Sequence, residues 1–255
     1  MAKKPIVFLS AGHGGSDPGA VGYGLLEKNI NLQIMLACKD ELDRHPVKVV
    51  CSRTKDENDP VGEEVKEANK SKAKIAASFH TNAGEGDGSE TFYYSLSVDG
   101  EKLAKLCEKH MKAIGQNSRG VKVGDHLYFV NGTNMVAVLC ECAFIDNDKD
   151  NDIIDTIAEQ KKFGVAYAKA ILEYLDIEYK EPVKTVYRVQ CGPYTKKTSA
   201  TSVQKKLKKA GFESVLLKSG SVYVLQLGAY SKKANATTMK KNLKKAGFTA
   251  SIVKS

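Results

Sequence analysis

Apolar residues along this chain fall into short runs, and the spacing within the runs changes from one to the next. Ile6 to Leu9 is continuous and of strand length. Residues 27–44 carry apolar side chains at helical spacing, Ile30, Ile34, Leu36 and Leu42 among them. Residues 47–52 read as a strand and 63–71 as a polar helix. Residues 75–80 and 90–94 read as strands joined through a glycine-rich turn. A helix over 98–114, a very apolar strand over 136–145 and a helical stretch over 153–175 complete the series. Strands that alternate with helices predict an α/β layered sheet flanked by helices, with functional groups at strand ends and in the loops that follow.

Beyond residue 176 the pattern changes. Residues 177–184, with Pro182, show no period and read as a linker between a first domain (1–176) and a second (185–255). The second domain is an internal repeat. Tyr187-Arg188-Val189-Gln190-Cys191-Gly192-Pro193-Tyr194 aligns with Tyr223-Val224-Leu225-Gln226-Leu227-Gly228-Ala229-Tyr230 at an offset of 36 residues. The offset holds without a gap through Ala210-Gly211-Phe212 and Ala246-Gly247-Phe248. Each half reads as strand, helix closed by glycine, strand, so the whole predicts a smaller α+β domain of order βαββαβ.

Charge sharpens this division. The chain of 255 residues carries a formal net charge of +9. Residues 184–255 hold 15 lysines and one arginine against a single glutamate, a net +15, whereas residues 1–183 sum to −6. A basic domain calls for an anionic partner: nucleic acid, an acidic membrane or an anionic polymer. No run of 18 apolar residues exists, which argues against membrane insertion. The apolar run that begins at Ile6 is too short for a signal-peptide core, so the sequence reads as one synthesised in the cytoplasm without a secretion signal. The six cysteines form no Cys-x-x-Cys pair, and Cys140 and Cys142 read as core residues on the strand face opposite Glu141.

Chemistry concentrates at element ends. His13 sits in Gly12-His13-Gly14-Gly15 directly after the first strand, Glu27 opens the first long helix, and His80 closes a strand. Two imidazoles and one carboxylate match the protein ligands of a catalytic zinc, with a fourth position left for water. Taken singly, each has a plainer reading: a structural histidine, or an acid at a helix N-terminus. Glu141 interrupts the apolar run Val136 to Ile145, and burying an ionised carboxylate without a partner is costly, so it predicts a polar or metal-containing cleft. His45 reads as a charge suited to a helix C-terminus, and His110 as a residue of a polar helix face.

In this order the motifs resemble the zinc N-acetylmuramoyl-L-alanine amidases: Gly12-His13-Gly14-Gly15, Asp17-Pro18-Gly19-Ala20, Glu27, Ser52-Arg53-Thr54-Lys55-Asp56, Ser78-Phe79-His80-Thr81-Asn82-Ala83, Gly88-Ser89-Glu90, and Leu139 to Asn147. The resemblance covers roughly residues 5 to 175. It implies that His13, Glu27 and His80 bind zinc and that Glu141 is the catalytic glutamate. Asn82, two residues after His80, and His126, in the loop Gly124-Asp125-His126-Leu127 beside the cleft, are read as candidates for substrate contact. This chain departs from the family in having Ser10-Ala11 before Gly-His, Glu64 where an arginine is usual, and Lys74 where an aspartate is common. The repeat resembles the sporulation-related (SPOR) repeat, which implies binding to peptidoglycan glycan strands through Gln190, Tyr194, Gln226 and Tyr230. Anionic wall polymers are a further partner suited to the lysines.

The resemblance therefore implies a wall hydrolase that acts after release, of the phage endolysin or the sporulation-phase autolysin type. Two other readings stand beside it. One is a catalytically inactive wall-binding protein. The other is an RNA-binding βαββαβ domain, against which the central strands lack the aromatic K/R-G-F/Y-G/A-F-V-x-F/Y signature.

Overall fold

The structure is a computed structural model and describes residues 4–182 and 185–255. The sequence reading of residues 1–3, and of positions 183 and 184 in the expected linker, lies outside the described residues. The chain divides into two compact units, Met1–Lys180 and Glu181–Ser255.

In the first unit β1 (Ile6–Ala11) leads through a two-stranded hairpin, β2 (Val21–Gly22) and β3 (Leu25–Leu26), into α1 (Glu27–Leu42). Then follow β4 (Lys48–Cys51), α2 (Val61–Ser71), β5 (Ile75–Asn82), β6 (Ser89–Tyr93), α3 (Val98–Ala113), β7 (Ser118–Val123), α4 (Tyr128–Gly132), β8 (Val136–Phe144), α5 (Asp148–Ile154) and α6 (Ile157–Tyr174). The six-stranded sheet has the order β4-β1-β5-β8-β6-β7. Pairings are parallel except β6 with β8. The central strands are apolar on both faces because both are covered. Leu9, Phe79 and Cys140 pack in the cluster that includes residues of α1, α3 and α6, while Phe8, Ala76 and Leu139 pack with residues of α2 and α4.

The expected single helix over 153–175 is two helices. Thr156 ends the pattern by accepting a hydrogen bond from the Glu159 backbone N–H, which makes it the N-cap of α6. Asn147 caps α5 through the amides of Lys149 and Asp150. The stretch expected as linker also begins later than its lack of period suggested. Ile177 and Tyr179 pack on the first unit's core, Arg44 donates to the Lys180 carbonyl, and Tyr179 donates to Glu41. His45 takes part in this docking. Its Nδ1 donates to the Glu41 carbonyl and its Nε2 accepts from the Lys180 amide, which needs a neutral ring rather than the helix-end charge the sequence suggested.

The second unit is β9 (Tyr187–Tyr194), α7 (Lys197–Lys209), β10 (Val215–Ser219), β11 (Val222–Tyr230), α8 (Lys233–Lys245) and β12 (Ser251–Lys254). Its antiparallel sheet has the order β10-β11-β9-β12. Val189, Cys191, Leu225 and Leu227 form the core with Leu207 of α7 and Leu243 of α8, so both helices cover one sheet face. Among the described residues no helix is long and apolar enough to cross a membrane.

Candidate active site

The chain leaves β1 for β4 on one side and returns to β5 on the other, so β1 and β5 flank the point where strand order reverses. A crevice opens beyond the carboxyl ends of parallel strands at such a point. His13 follows β1 into it and His80 enters from the end of β5. Glu27 joins them from the first turn of α1.

The three donors converge. His13 Nε2 lies 3.2 Å from Glu27 Oε1, His80 Nδ1 lies 3.0 Å from the same oxygen, and one ligand atom from each residue falls within 4.8 Å of the others. Ligands around a tetrahedral zinc, with bonds near 2.0–2.1 Å, stand roughly 3.3 Å apart. Separation and donor chemistry both fit the metal.

The surroundings fix each donor. His13 Nδ1 donates to Asp17 Oδ2 at 2.8 Å, which holds the tautomer that leaves Nε2 free for a metal. Glu27 Oε2 accepts from the Ala20 amide, and Oε1 accepts from Asn31 and the Thr81 amide. His13 itself adopts a left-handed backbone, φ 64°, a conformation costing a non-glycine residue about 1 kcal/mol. Arg53 holds that loop: it is buried and donates to the carbonyls of Ala11, Gly12, Lys28 and Lys55. Asp56 accepts from the Gly15 amide, and Asn58 accepts from that of Ser16. Gly12 is required for space, since a Cβ there would sit 2.1 Å from the His80 ring.

The electrostatics follow. Glu27 is buried, which raises its carboxyl, but hydrogen bonds from both imidazoles outweigh burial and hold it well below the usual range. The bond to Glu27 raises His13 to about 9. His80 is also raised, because Glu27 and Glu141 outweigh the burial that would lower it. Without metal the cluster therefore holds protons that a cation must displace.

Glu141 stands beside His80 in the β5–β8 register, where the pairing then shifts. Its Oε2 is enclosed and has no hydrogen-bond partner among the described residues. Burial pushes its carboxyl up to about 7. Cys140 and Cys142 are buried in the core behind the strand, as alternation predicts, and remain free thiols. A cavity of about 320 Å³ adjoins His13, lined by Asp17, Asn58 and Asp59.

The other named candidates take different positions. Asn82 donates to Glu90 and accepts from the Ala83 amide, so its side chain supports the site wall. His126 is exposed and meets the Phe92 ring edge-on, 6.1 Å between centroids. Gln190 and Gln226 are direct cross-strand partners, on the sheet face away from the core residues Val189, Cys191, Leu225 and Leu227. Tyr194 and Tyr230 pack against that core.

Glu64 and Glu90 stand out in the sequence as motif positions, but their surroundings do not. Glu64 is buried and hydrogen-bonded to Ser10, and burial raises its carboxyl. Glu90, the cross-strand partner of Glu141, is buried and pairs with the partly exposed Arg119 and Lys122. No local sequence period signals either arrangement, because each depends on contacts between elements distant in the sequence: α2 with β1 for Glu64, and β6 with β7 for Glu90.

Known proteins resemble both units of the chain. Residues 7–173 match the family Amidase_3, N-acetylmuramoyl-L-alanine amidase, and residues 164–218 and 219–255 match the SPOR domain. The uncharacterized protein YqiI of Bacillus subtilis (strain 168) is 34% identical over 186 residues, 69% of this chain and 89% of that protein. The sporulation-specific N-acetylmuramoyl-L-alanine amidase of the same organism is 31% identical over 216 residues, 83% of this chain and 84% of that protein. A crystal structure of N-acetylmuramoyl-L-alanine amidase from Clostridium difficile 630 superposes with a TM-score of 0.65 at 29% identity, covering 69% of this chain and 98% of that one. The first unit has the sheet and the first-domain match of these enzymes, the second has the match of a wall-binding module, and the chain belongs to the N-acetylmuramoyl-L-alanine amidase family.

Proposed function

We propose that His13, Glu27 and His80 hold one zinc ion, and that Glu141 serves as the proton-transferring group in hydrolysis of the amide between N-acetylmuramic acid and L-alanine. The convergence of three donor atoms on one point, with the unpartnered Oε2 of Glu141 on the neighbouring strand, carries the reading. Zinc, when bound, supplies a Lewis acid that polarises a carbonyl and acidifies water. Glu141 accepts the proton of the attacking water and returns it to the departing amine; its enclosure keeps proton affinity high enough for both transfers. Asp17 and Asn31 keep His13 and Glu27 oriented throughout.

The second unit holds the enzyme on its polymer. Val215, Gln226, Gln190 and Ser251 form one in-register row across the four strands, on the face that α7 and α8 leave open. Paired amides beside apolar groups suit a sugar, which presents hydroxyl edges and apolar faces. The exposed lysines of α7 and α8 add attraction to anionic wall polymers.

Purified walls digested with the zinc-loaded protein should yield lactyl carboxyl groups and peptides with a free L-alanine amine, seen by mass spectrometry. Chelation should stop the reaction and zinc should restore it. Cleavage at a sugar–sugar or peptide–peptide bond would refute the reading.

A further inference from the structure

Glu90 and Glu141 are direct partners across β6 and β8 and share one sheet face. Glu90 is 4% exposed. Its Oε1 accepts from Asn82, and its Oε2 takes Arg119 Nε at 2.7 Å and Lys122 Nζ at 2.5 Å. One cation suffices to neutralise a buried carboxylate. Glu90 holds two, one more than it needs.

The form of that surplus is specific. Only Nε of Arg119 is bonded to protein among the described residues, and its guanidinium stacks 4.9 Å from the Phe144 ring centre. Glu90 on one edge and Phe144 on one face fix the plane, while the two Nη groups stay free. Such a fork matches a carboxylate in two-point geometry. Lys122 lies over Phe92 and keeps ammonium hydrogens to spare. The two side chains are 40% and 37% exposed, so both reach solvent.

We propose that Arg119 and Lys122, tethered on Glu90 beside Glu141, form a carboxylate-binding subsite that recognises an acidic residue in the peptide part of the substrate. The inference rests on the amidase reading above. The only carboxyl of N-acetylmuramic acid is consumed in the scissile amide, so an anion near that bond belongs to the peptide. The placement agrees, because Glu141 delivers its proton to the amine on the same side.

The test uses the zinc-loaded full chain and two soluble muramoyl peptides that differ only at the acidic residue, free carboxyl against carboxamide. The native protein should favour the free acid by about tenfold in kcat/KM, expressed mainly in KM, as loss of a charge-assisted hydrogen bond implies. In the Arg119→Gln/Lys122→Met variant the ratio should fall to about one, while Arg119→Lys should keep part of it. A ratio within one protein cancels any effect of the variant on Glu141. Calorimetry with the released peptides, acid against amide, should show the same discrimination without turnover. Equal use of both substrates by the native protein, or an unchanged ratio in the double variant, overturns the subsite and leaves the amidase reading standing. Failure to cleave either substrate overturns both.

Discussion

Glu27 and the lysines of α7 and α8 show two opposite treatments of charge in one chain. Glu27 is enclosed by two imidazoles, an amide side chain and two backbone N–H groups. Lys205, Lys206, Lys208, Lys209, Lys240, Lys241, Lys244 and Lys245 are all exposed, and among the described residues none of these eight joins an ion pair. The first unit gathers charge where desolvation strengthens it and holds each group in place. The second leaves its charge in water, where it acts over about 8 Å at physiological ionic strength and stabilises nothing inside the fold. The contrast separates chemistry, which needs fixed groups, from retention on a polymer, which needs only their sign.

The largest effect should come from the enclosed side. Glu141→Gln keeps the shape and removes the base, so the amidase rate should fall on the order of a hundredfold or more, measured on soluble muropeptide. Gly12→Ala should act less directly. The new methyl would displace the His80 ring, and zinc affinity, measured by competition with a chelator, should fall about tenfold to a hundredfold. Gly247→Ala in the second unit is the matching control: nothing lies within 4 Å, and only the backbone at φ 84° resists, at a cost of about 1 kcal/mol with zinc affinity unchanged.

The exposed side should respond to salt instead. Raising ionic strength should weaken binding of the full chain to purified walls several-fold, while hydrolysis of soluble muropeptide changes little. Equal sensitivity in both assays would mean that the exposed lysines are not what holds the protein on the wall.

A smaller effect concerns pH. His13 is raised from 6.5 to about 9 by Glu27, so its contribution to stability is complete below pH 6.5 and is lost as pH rises through about 9. The metal-free protein should therefore melt a few degrees lower at pH 9 than at pH 6.5. His13→Gln should flatten that dependence in a thermal scan.

The sequence exposed some of this arrangement and hid the rest for physical reasons. Glu141 was visible because a carboxylate inside an apolar strand has few places to go. His13, Glu27 and His80 were visible because they lie at element ends in a recognisable order. β7 was not foreseen: Ser118-Arg119-Gly120-Val121-Lys122-Val123 is polar, contains glycine and sits at the sheet edge. Its significance arises only when parallel pairing with β6 brings Arg119 and Lys122 to Glu90. In the second unit the repeat revealed strands and helices. It could not show that Tyr194 and Tyr230 lean on the core while Gln190 and Gln226 face each other across two strands.

The central claim is that three residues hold the metal and Glu141 does not. Zinc per chain, measured by atomic absorption after equilibration in one zinc buffer, tests it most directly. The native protein and Glu141→Gln should each retain about one zinc, and His80→Ala should retain almost none. Zinc kept by His80→Ala, or lost by Glu141→Gln, would contradict the account.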